Sequence, residues 1–269
     1  MIDVSVVIPT FRRRELLLEA IQSALRQERV SVEVIVVDDS PEGSAREAVQ
    51  ALNDQRVRYF QSAIPSGGKP ALVRNDGAKR ANGRFVHFLD DDDLVAEKYY
   101  RDAVAAFEAH PGCGVVFGRI QPFSVPDSAA LVHEREFFNT AARRTRFWSS
   151  LGSRWAMTAS LLFMSTLLVN SACLIRREHV QALGGYDTNI LLNEDVDFFC
   201  RAIRTFGCRF LDRVVVHYRI LPNSLMHGRK GNDQLTASYQ RMYARYRETH
   251  GVVELLVLKI FARTVMRVL

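Results

Sequence analysis

Apolar runs set the frame of this chain. Residues 4–9, 32–37 and 85–89 are nearly unbroken stretches of Val, Ile, Phe and Leu. Runs without alternation read as strands buried on both faces, as in a parallel sheet covered by helices. Between them, Leu17, Ile21, Ala24 and Leu25 give residues 14–27 helical spacing, and residues 45–52 and 71–81 read as two more helices. A short strand at 57–61, the loop Ser66-Gly67-Gly68-Lys69-Pro70 and the turn at Asn82-Gly83 punctuate the pattern. Residues 99–109 then read as helix and 114–117 as strand. Strands alternating with helices over short connections predict an α/β fold with a mostly parallel sheet.

The pattern loosens over residues 121–154, where Arg143, Arg144, Arg146 and Arg154 mix with Phe137, Phe138, Phe147, Trp148 and Trp155. Two readings are open, a binding segment or an exposed helix pair with a solvated basic face. Residues 155–175 carry no charge and are long enough to span a bilayer. Thr158, Ser160, Ser165, Thr166, Asn170 and Ser171 favour instead a buried helix or loop followed by a buried strand at 172–175. Residues 180–183 are helical, Gly184 to Asp187 turn, a helix opens at Asn193-Glu194-Asp195, and residues 209–216 lead into a strand. Residues 221–269 form a helical C-terminal extension. Within it, Lys259, Arg263 and Arg267 make one basic stripe on the apolar run 252–269. That helix either lies on a membrane surface or packs on its own domain or a second subunit.

Composition changes little. The chain has 269 residues, 48% hydrophobic and 25% charged, with net charge +6 and a pI near 9.3. The modest basic excess suits an anionic ligand or membrane surface. Cys113, Cys173, Cys200 and Cys208 form no CxxC pair and read as reduced, mostly buried thiols without a zinc site. The N-terminus lacks a signal-peptide layout.

Charge at the strand ends is more telling. Asp90, Asp91, Asp92 and Asp93 follow the third run, and Asp38-Asp39 end the second. Ligands of open α/β sheets bind at that edge. Four adjacent aspartates repel unless a cation neutralises them, so Mn²⁺ or Mg²⁺ carrying a phosphorylated ligand is expected, with one or two protein carboxylates as ligands. The plainer reading has Asp92 or Asp93 cap a helix starting at Leu94. No GxGxxG or GxxxxGK[ST] motif is present. Phosphate charge would therefore fall to the metal and to Arg12, Arg13, Lys69 and Arg74. Glu194-Asp195 at a helix start serves either its dipole or general-base chemistry. His217 and His227 are structural, or reach a metal or diphosphate.

Taken in order, Val6 to Arg13, Val36 to Ser40, Val73 to Ala78, Phe88 to Asp93, Gly184 to Asp187 and Asn193 to Asp197 resemble the GT-A fold, family 2 inverting glycosyltransferases. The resemblance spans roughly residues 4 to 220. It implies a Rossmann-like catalytic domain over residues 1–220, with a nucleotide-sugar half to about 118 and an acceptor half from about 119. It implies a nucleotide-diphospho-sugar donor, UDP ranked ahead of GDP and dTDP, and a divalent cation. Pro9, Thr10, Asp39 and Arg74 match nucleotide-holding positions, with Asp38, Asn75 and Asp91 beside them. Asp90 and Asp92 match the metal-binding DxD pair, and His217 is a further metal candidate. Asp195 matches the base that deprotonates the acceptor hydroxyl, supported by Glu194.

Two departures refine this. There is no Gln-x-x-Arg-Trp segment after the base, so transfer of one sugar is expected rather than processive synthesis. Leu221 stands where many relatives carry a histidine, a role open to His217 or His227. The expectation is a cytoplasmic enzyme, or one peripheral on the inner membrane face, acting in bacterial cell-surface glycan assembly on a glycan, lipid-linked or other hydroxyl acceptor. Nucleic acid is not an expected partner. The rivals are a sugar-nucleotide nucleotidyltransferase and a non-catalytic sugar-nucleotide-binding protein.

Overall fold

The apolar runs become the central strands. β1 (Val4–Thr10) is buried almost throughout, and β2 (Val32–Asp38) and β4 (Phe85–Phe88) entirely so. With β3 (Val57–Gln61), β5 (Leu94–Val95), β6 (Val115–Phe123), β7 (Cys173–Arg176) and β8 (Cys208–Arg219) they form one eight-stranded sheet, in the order β3-β2-β1-β4-β7-β6-β8-β5. The pairs among β3, β2, β1 and β4 are parallel, as is β6 with β8, whereas β7 and β5 run antiparallel to their neighbours. The computed structural model describes residues 1–124, 129–164, 168–221 and 231–264.

Both faces are covered, as the unbroken apolar runs require. Strand residues alternate between two cores. Val7, Ile35, Val37 and Phe88 belong to one, with α3 (Pro70–Lys79), α6 (Arg154–Phe163), α8 (Glu194–Phe206) and the C-terminal helices. Val6, Ile8, Val34 and Val36 belong to the other, with α1 (Arg14–Leu25) and α4 (Tyr99–Ala109). α3 lies so close to the sheet that a Cβ on Gly77 would sit 2.3 Å from a Val7 methyl. α2 (Arg46–Ala51) follows β2, and α7 (Arg177–Ala182) follows β7.

Three local expectations change or resolve. Residues 129–150 form one long helix, α5, in place of a loose segment or helix pair. The four aspartates do not cap a helix. Leu94 and Val95 leave them as a two-residue strand against His217 and Val216, and α4 starts only at Tyr99. Residues 155–175 are a buried helix, a 3-10 turn at Asn170–Ala172 and β7, the reading their polar content favours. Among the described residues no helix is long and apolar enough to cross a membrane. Three cysteines are buried, one is half-buried, and all four are free.

α9 (Gly231–His250) and α10 (Val252–Thr264) pack against each other and against the helices that cover the sheet, α10 on α6 and both through ion pairs to α8. Arg241 and Arg245 of α9 pair with the buried Asp187, and Arg245 also with Asp197 of α8. Arg204 of α8 reaches Glu254 of α10 at 2.8 Å. His227 and Arg267 lie outside the described residues.

Candidate active site

After β1 the chain runs outward through β2 and β3, then returns so that β4 lies on the other side of β1. The carboxyl ends of β1 and β4 therefore flank a topological switch point, where open α/β sheets bind ligands. The sheet edge gathers Thr10, Asp39, the four aspartates and, from α8, Glu194 and Asp195.

Arg74 ties these pieces together. It rises from α3, is buried, and donates to Glu194 at 2.5 Å and to Asp90 at 2.6 Å. Its guanidinium lies 5.7 Å from the Tyr186 ring centroid, and its Nε has no hydrogen-bond partner among the described residues. Asn170 makes a second link. Its backbone N–H donates to Asp195 at 3.2 Å, its amide reaches Asp90 at 3.5 Å, and its side-chain carbonyl accepts from the Tyr186 hydroxyl at 2.6 Å. The aspartate cluster and Asp195 thus belong to one polar network. Ser171 extends it by accepting from the Asp90 N–H, while its own carbonyl meets the buried His87 ring at 2.8 Å. Burial drives the His87 pKa down to about 4, so the ring is neutral.

The acids are under-neutralised. Among the described residues, Arg13 pairs with Asp91 and Asp92, and Arg74 with Asp90 and Glu194; Asp93 and Asp195 have no ion pair. Desolvation together with the Asp90 and Asp91 charges pushes Asp92 up to about 6. Desolvation and the Asp92 charge hold Asp93 well above the usual carboxylate range, and its Oδ2 has no partner among the described residues. Asp195 is pushed up to about 7 by desolvation and by Glu194, against the opposing Arg74 charge. Such an excess of buried negative charge suits a divalent cation. Among the described residues no three acidic, His or Cys side chains converge on one point. A pair of carboxylates such as Asp90 and Asp92 could hold a cation only together with phosphate oxygens and water, as Mg²⁺ or Mn²⁺ typically bind.

The remaining expected residues divide. Thr10 is buried and donates to Asp91 at 2.8 Å, so the end of β1 positions the aspartates. Pro9 pairs in register with Val37, one step before Thr10 meets Asp38. Asp39 accepts from the Ser66 N–H and hydroxyl, holding the glycine-containing loop whose exposed Lys69 precedes α3. Arg12 is exposed, in left-handed backbone (φ 57°), and pairs with Glu42 at 2.7 Å.

Three of the expected residues are engaged elsewhere in the structure. Asp38 is not open to a ligand. Its fully buried carboxylate accepts from the Ser40 N–H and hydroxyl, the Ala45 N–H and the Tyr59 hydroxyl, and so fixes its own loop. Asn75 is likewise occupied, bridging the Tyr186 N–H and carbonyl; Gly185 (φ 75°) is required there, because a Cβ would fall 2.4 Å from the Asn75 oxygen. Among the described residues His217 forms no three-residue metal-binding group with Asp90 and Asp92; its half-buried ring meets Phe123 edge-on, and burial lowers its pKa. Asn170, Ser171 and His87 join the site without a sequence motif to announce them. Asn170-Ser171 interrupts an uncharged run just before a strand, a faint polar signal at most.

Fold and site together define an α/β protein with an acid-rich polar network at its sheet's switch point. The chain belongs to glycosyl transferase family 2, whose sequence pattern matches residues 5–182. Over 95 residues it is 41% identical to the GalNAc(5)-diNAcBac-PP-undecaprenol beta-1,3-glucosyltransferase of Campylobacter jejuni, covering 35% of this chain and 30% of that protein. Over 109 residues it is 35% identical to the putative colanic acid biosynthesis glycosyl transferase WcaA of Escherichia coli, covering 40% and 37%. These matches thus reach only about a third of the relatives' own length. Staphylococcus aureus TarS 1–349, solved with UDP-GlcNAc, superposes with a TM-score of 0.68 at 18% identity over 97% of this chain and 73% of that one. A Pyrobaculum calidifontis mannosyltransferase, solved with GDP-Man and Mn²⁺, superposes at 0.63 and 18% identity over 91% and 64%. At such identities the likeness shows the fold, which is the GT-A architecture expected.

Proposed function

We propose that this chain is an inverting, metal-dependent glycosyltransferase that moves one sugar from a nucleotide-diphospho-sugar, UDP-linked first, to an acceptor hydroxyl. The observation that carries the reading is the Arg74 bridge, which joins Asp90 of the aspartate cluster to Glu194 beside Asp195. A diphosphate end and a base end share one cleft. Asp90 and Asp92 would hold Mn²⁺ or Mg²⁺, which when bound offsets charge building on the leaving diphosphate. Asp195, poised near neutral pH, accepts the proton of the acceptor hydroxyl. The acceptor oxygen bonds to the anomeric carbon as the carbon–oxygen bond to the diphosphate breaks, so the configuration inverts. Asn170 holds the Asp195 carboxylate through its N–H, and Glu194, pinned by Arg74, keeps the helix start in place.

The named activities of the C. jejuni and E. coli relatives favour a role in cell-surface polysaccharide assembly on a glycan or lipid-linked acceptor, and we infer that the work is done at the inner membrane face. The UDP-GlcNAc bound in the TarS structure supports UDP-linked sugars as the first donors to test. The test is a panel of nucleotide sugars with Mn²⁺ and a glycan acceptor. Free nucleoside diphosphate and a product of inverted anomeric configuration are expected. Pyrophosphate as product would indicate nucleotidyl transfer, and binding without turnover of any donor would indicate a binding protein.

A further inference from the structure

Helix α10 is apolar on two opposite sides, and only one is used. On the inner side Leu258 and Ala262 are fully buried, and the Phe261 ring meets Trp155 and Trp148 at centroid distances of 4.9 and 5.8 Å. Glu254, the one acid of α10, is also held inward by Arg204 and the Tyr246 hydroxyl. On the outer side Val253, Leu256, Val257 and Ile260 follow the i, i+3, i+4, i+7 spacing and are 71%, 53%, 47% and 60% exposed. A helix that served only to pack on its own domain would be polar there.

The surface around this row is basic. Lys259 and the exposed Arg263 border it on one side, a turn apart. The end of α5 adjoins α10 where Trp148 lies against Phe261, and that end carries the exposed Arg144 and Phe147, with the exposed Leu151 just beyond it. Exposed apolar side chains in such a row mark a contact surface. Charge decides what contacts it. A second copy pressed against the same face would bring two basic borders together with no acid of α10 free to meet them. An anionic bilayer supplies acyl chains for the apolar row and phosphates for the border.

We propose that the outer face of α10, with the adjoining end of α5, docks this protein on an anionic lipid surface. α10 lies in the interface plane, with Val253, Leu256, Val257 and Ile260 toward the acyl chains and Lys259, Arg263 and Arg144 toward the headgroups. α10 packs beside α9, whose Tyr239 hydroxyl accepts from Asn193, two residues before Asp195. This inference deepens the proposed function by naming the surface that would bring a lipid-linked acceptor to it, and it rests on that reading for its purpose only.

The test is co-sedimentation of the full chain with phosphatidylcholine vesicles, with or without phosphatidylglycerol, at low and high salt. Two paired variants are compared, Val257→Ser with Ile260→Ser, and Lys259→Gln with Arg263→Gln. All four side chains lie outside the catalytic cleft, so melting temperature and transfer to a water-soluble acceptor without vesicles should not change. The expected result is binding to phosphatidylglycerol vesicles at low salt, weakened by salt, by about fivefold for each charge removed, and at least as strongly by the serine pair. No binding at low salt, or binding indifferent to both pairs, would overturn the proposal. So would light scattering showing a dimer that the serine pair dissolves, since the face would then belong to a second copy. Vesicle binding by a protein that turns over no nucleotide sugar would support the docking face while refuting the proposed function.

Discussion

Arg74→Met is the substitution that most sharply probes how this cleft is held together. The methionine keeps an unbranched stem of similar reach beneath Tyr186, but removes the cation that Asp90 and Glu194 share. Removing one partner of a buried ion pair typically costs about 3–5 kcal/mol, because the other charge stays desolvated. Glu194 is only 10% exposed in its side chain and falls in that range, whereas Asp90 at 32% is partly screened and adds little. A net loss of about 3 kcal/mol is therefore expected, or roughly 6–12 °C in melting temperature for a chain of this size. The electrostatic signature is more specific. Arg74 opposes the upward shift of Asp195, so its loss should move the Asp195 titration to higher pH. Thermal melts with and without Glu194→Gln, combined as a double-mutant cycle, measure the stability coupling. The pH dependence of kcat/KM measures the shift. A loss under about 1 kcal/mol with an unmoved pH profile would refute the picture of Arg74 as the charge that unites the cleft.

Other predictions follow from the same geometry. Asp195 acts in its deprotonated form, so kcat/KM should rise with pH through about 7 and level off above it; a flat profile between pH 6 and 8 (about one unit each side) would exclude it as the titrating base. The raised pKa of Asp195 also makes a stability contribution that is full below the ordinary carboxylate range and lost as pH rises through about 7. Replacing it by Asn should therefore raise the melting temperature more at pH 8 than at pH 5 (roughly either side of the titration), as calorimetry can show. Asp38→Asn should lower stability by about 2–4 kcal/mol, since it disturbs four charge-assisted hydrogen bonds. Its effect on donor affinity should be small, and the reverse pattern by calorimetry and donor titration would restore Asp38 to the binding site.

The strands are legible in the sequence because burial on both faces leaves an unbroken apolar run, and the acids are legible because they end those runs. What a strand-end acid does is not. Asp38 and Asp39 are neighbours in one motif, yet Asp38 turns to Ser40 and Ala45 of its own loop and to Tyr59 of β3, and Asp39 to Ser66. The direction is set by pleat alternation and by partners distant in sequence. Leu94-Val95 resembles a helix start because a two-residue strand has no pattern of its own; it exists only through pairing with Val216 and His217. Asn170 is hidden for the same reason, since its contacts with Asp90, Asp195 and Tyr186 span up to 80 residues. The C-terminal helix reads from sequence as either packed or membrane-facing. Its two apolar sides leave room for both.

The most direct test of the central claim is donor binding and transfer measured together in Asp195→Asn. The substitution keeps the side chain's shape and removes its basicity. With a nucleotide sugar that stabilises the wild-type protein in Mn²⁺, the variant should show the same metal-dependent shift in melting temperature. Transfer should fall by on the order of 10²-fold or more, the usual scale for loss of a general base. Transfer near the wild-type rate would contradict the assignment of Asp195, and an equal donor shift in EDTA and in Mn²⁺ would contradict the metal-bridged diphosphate.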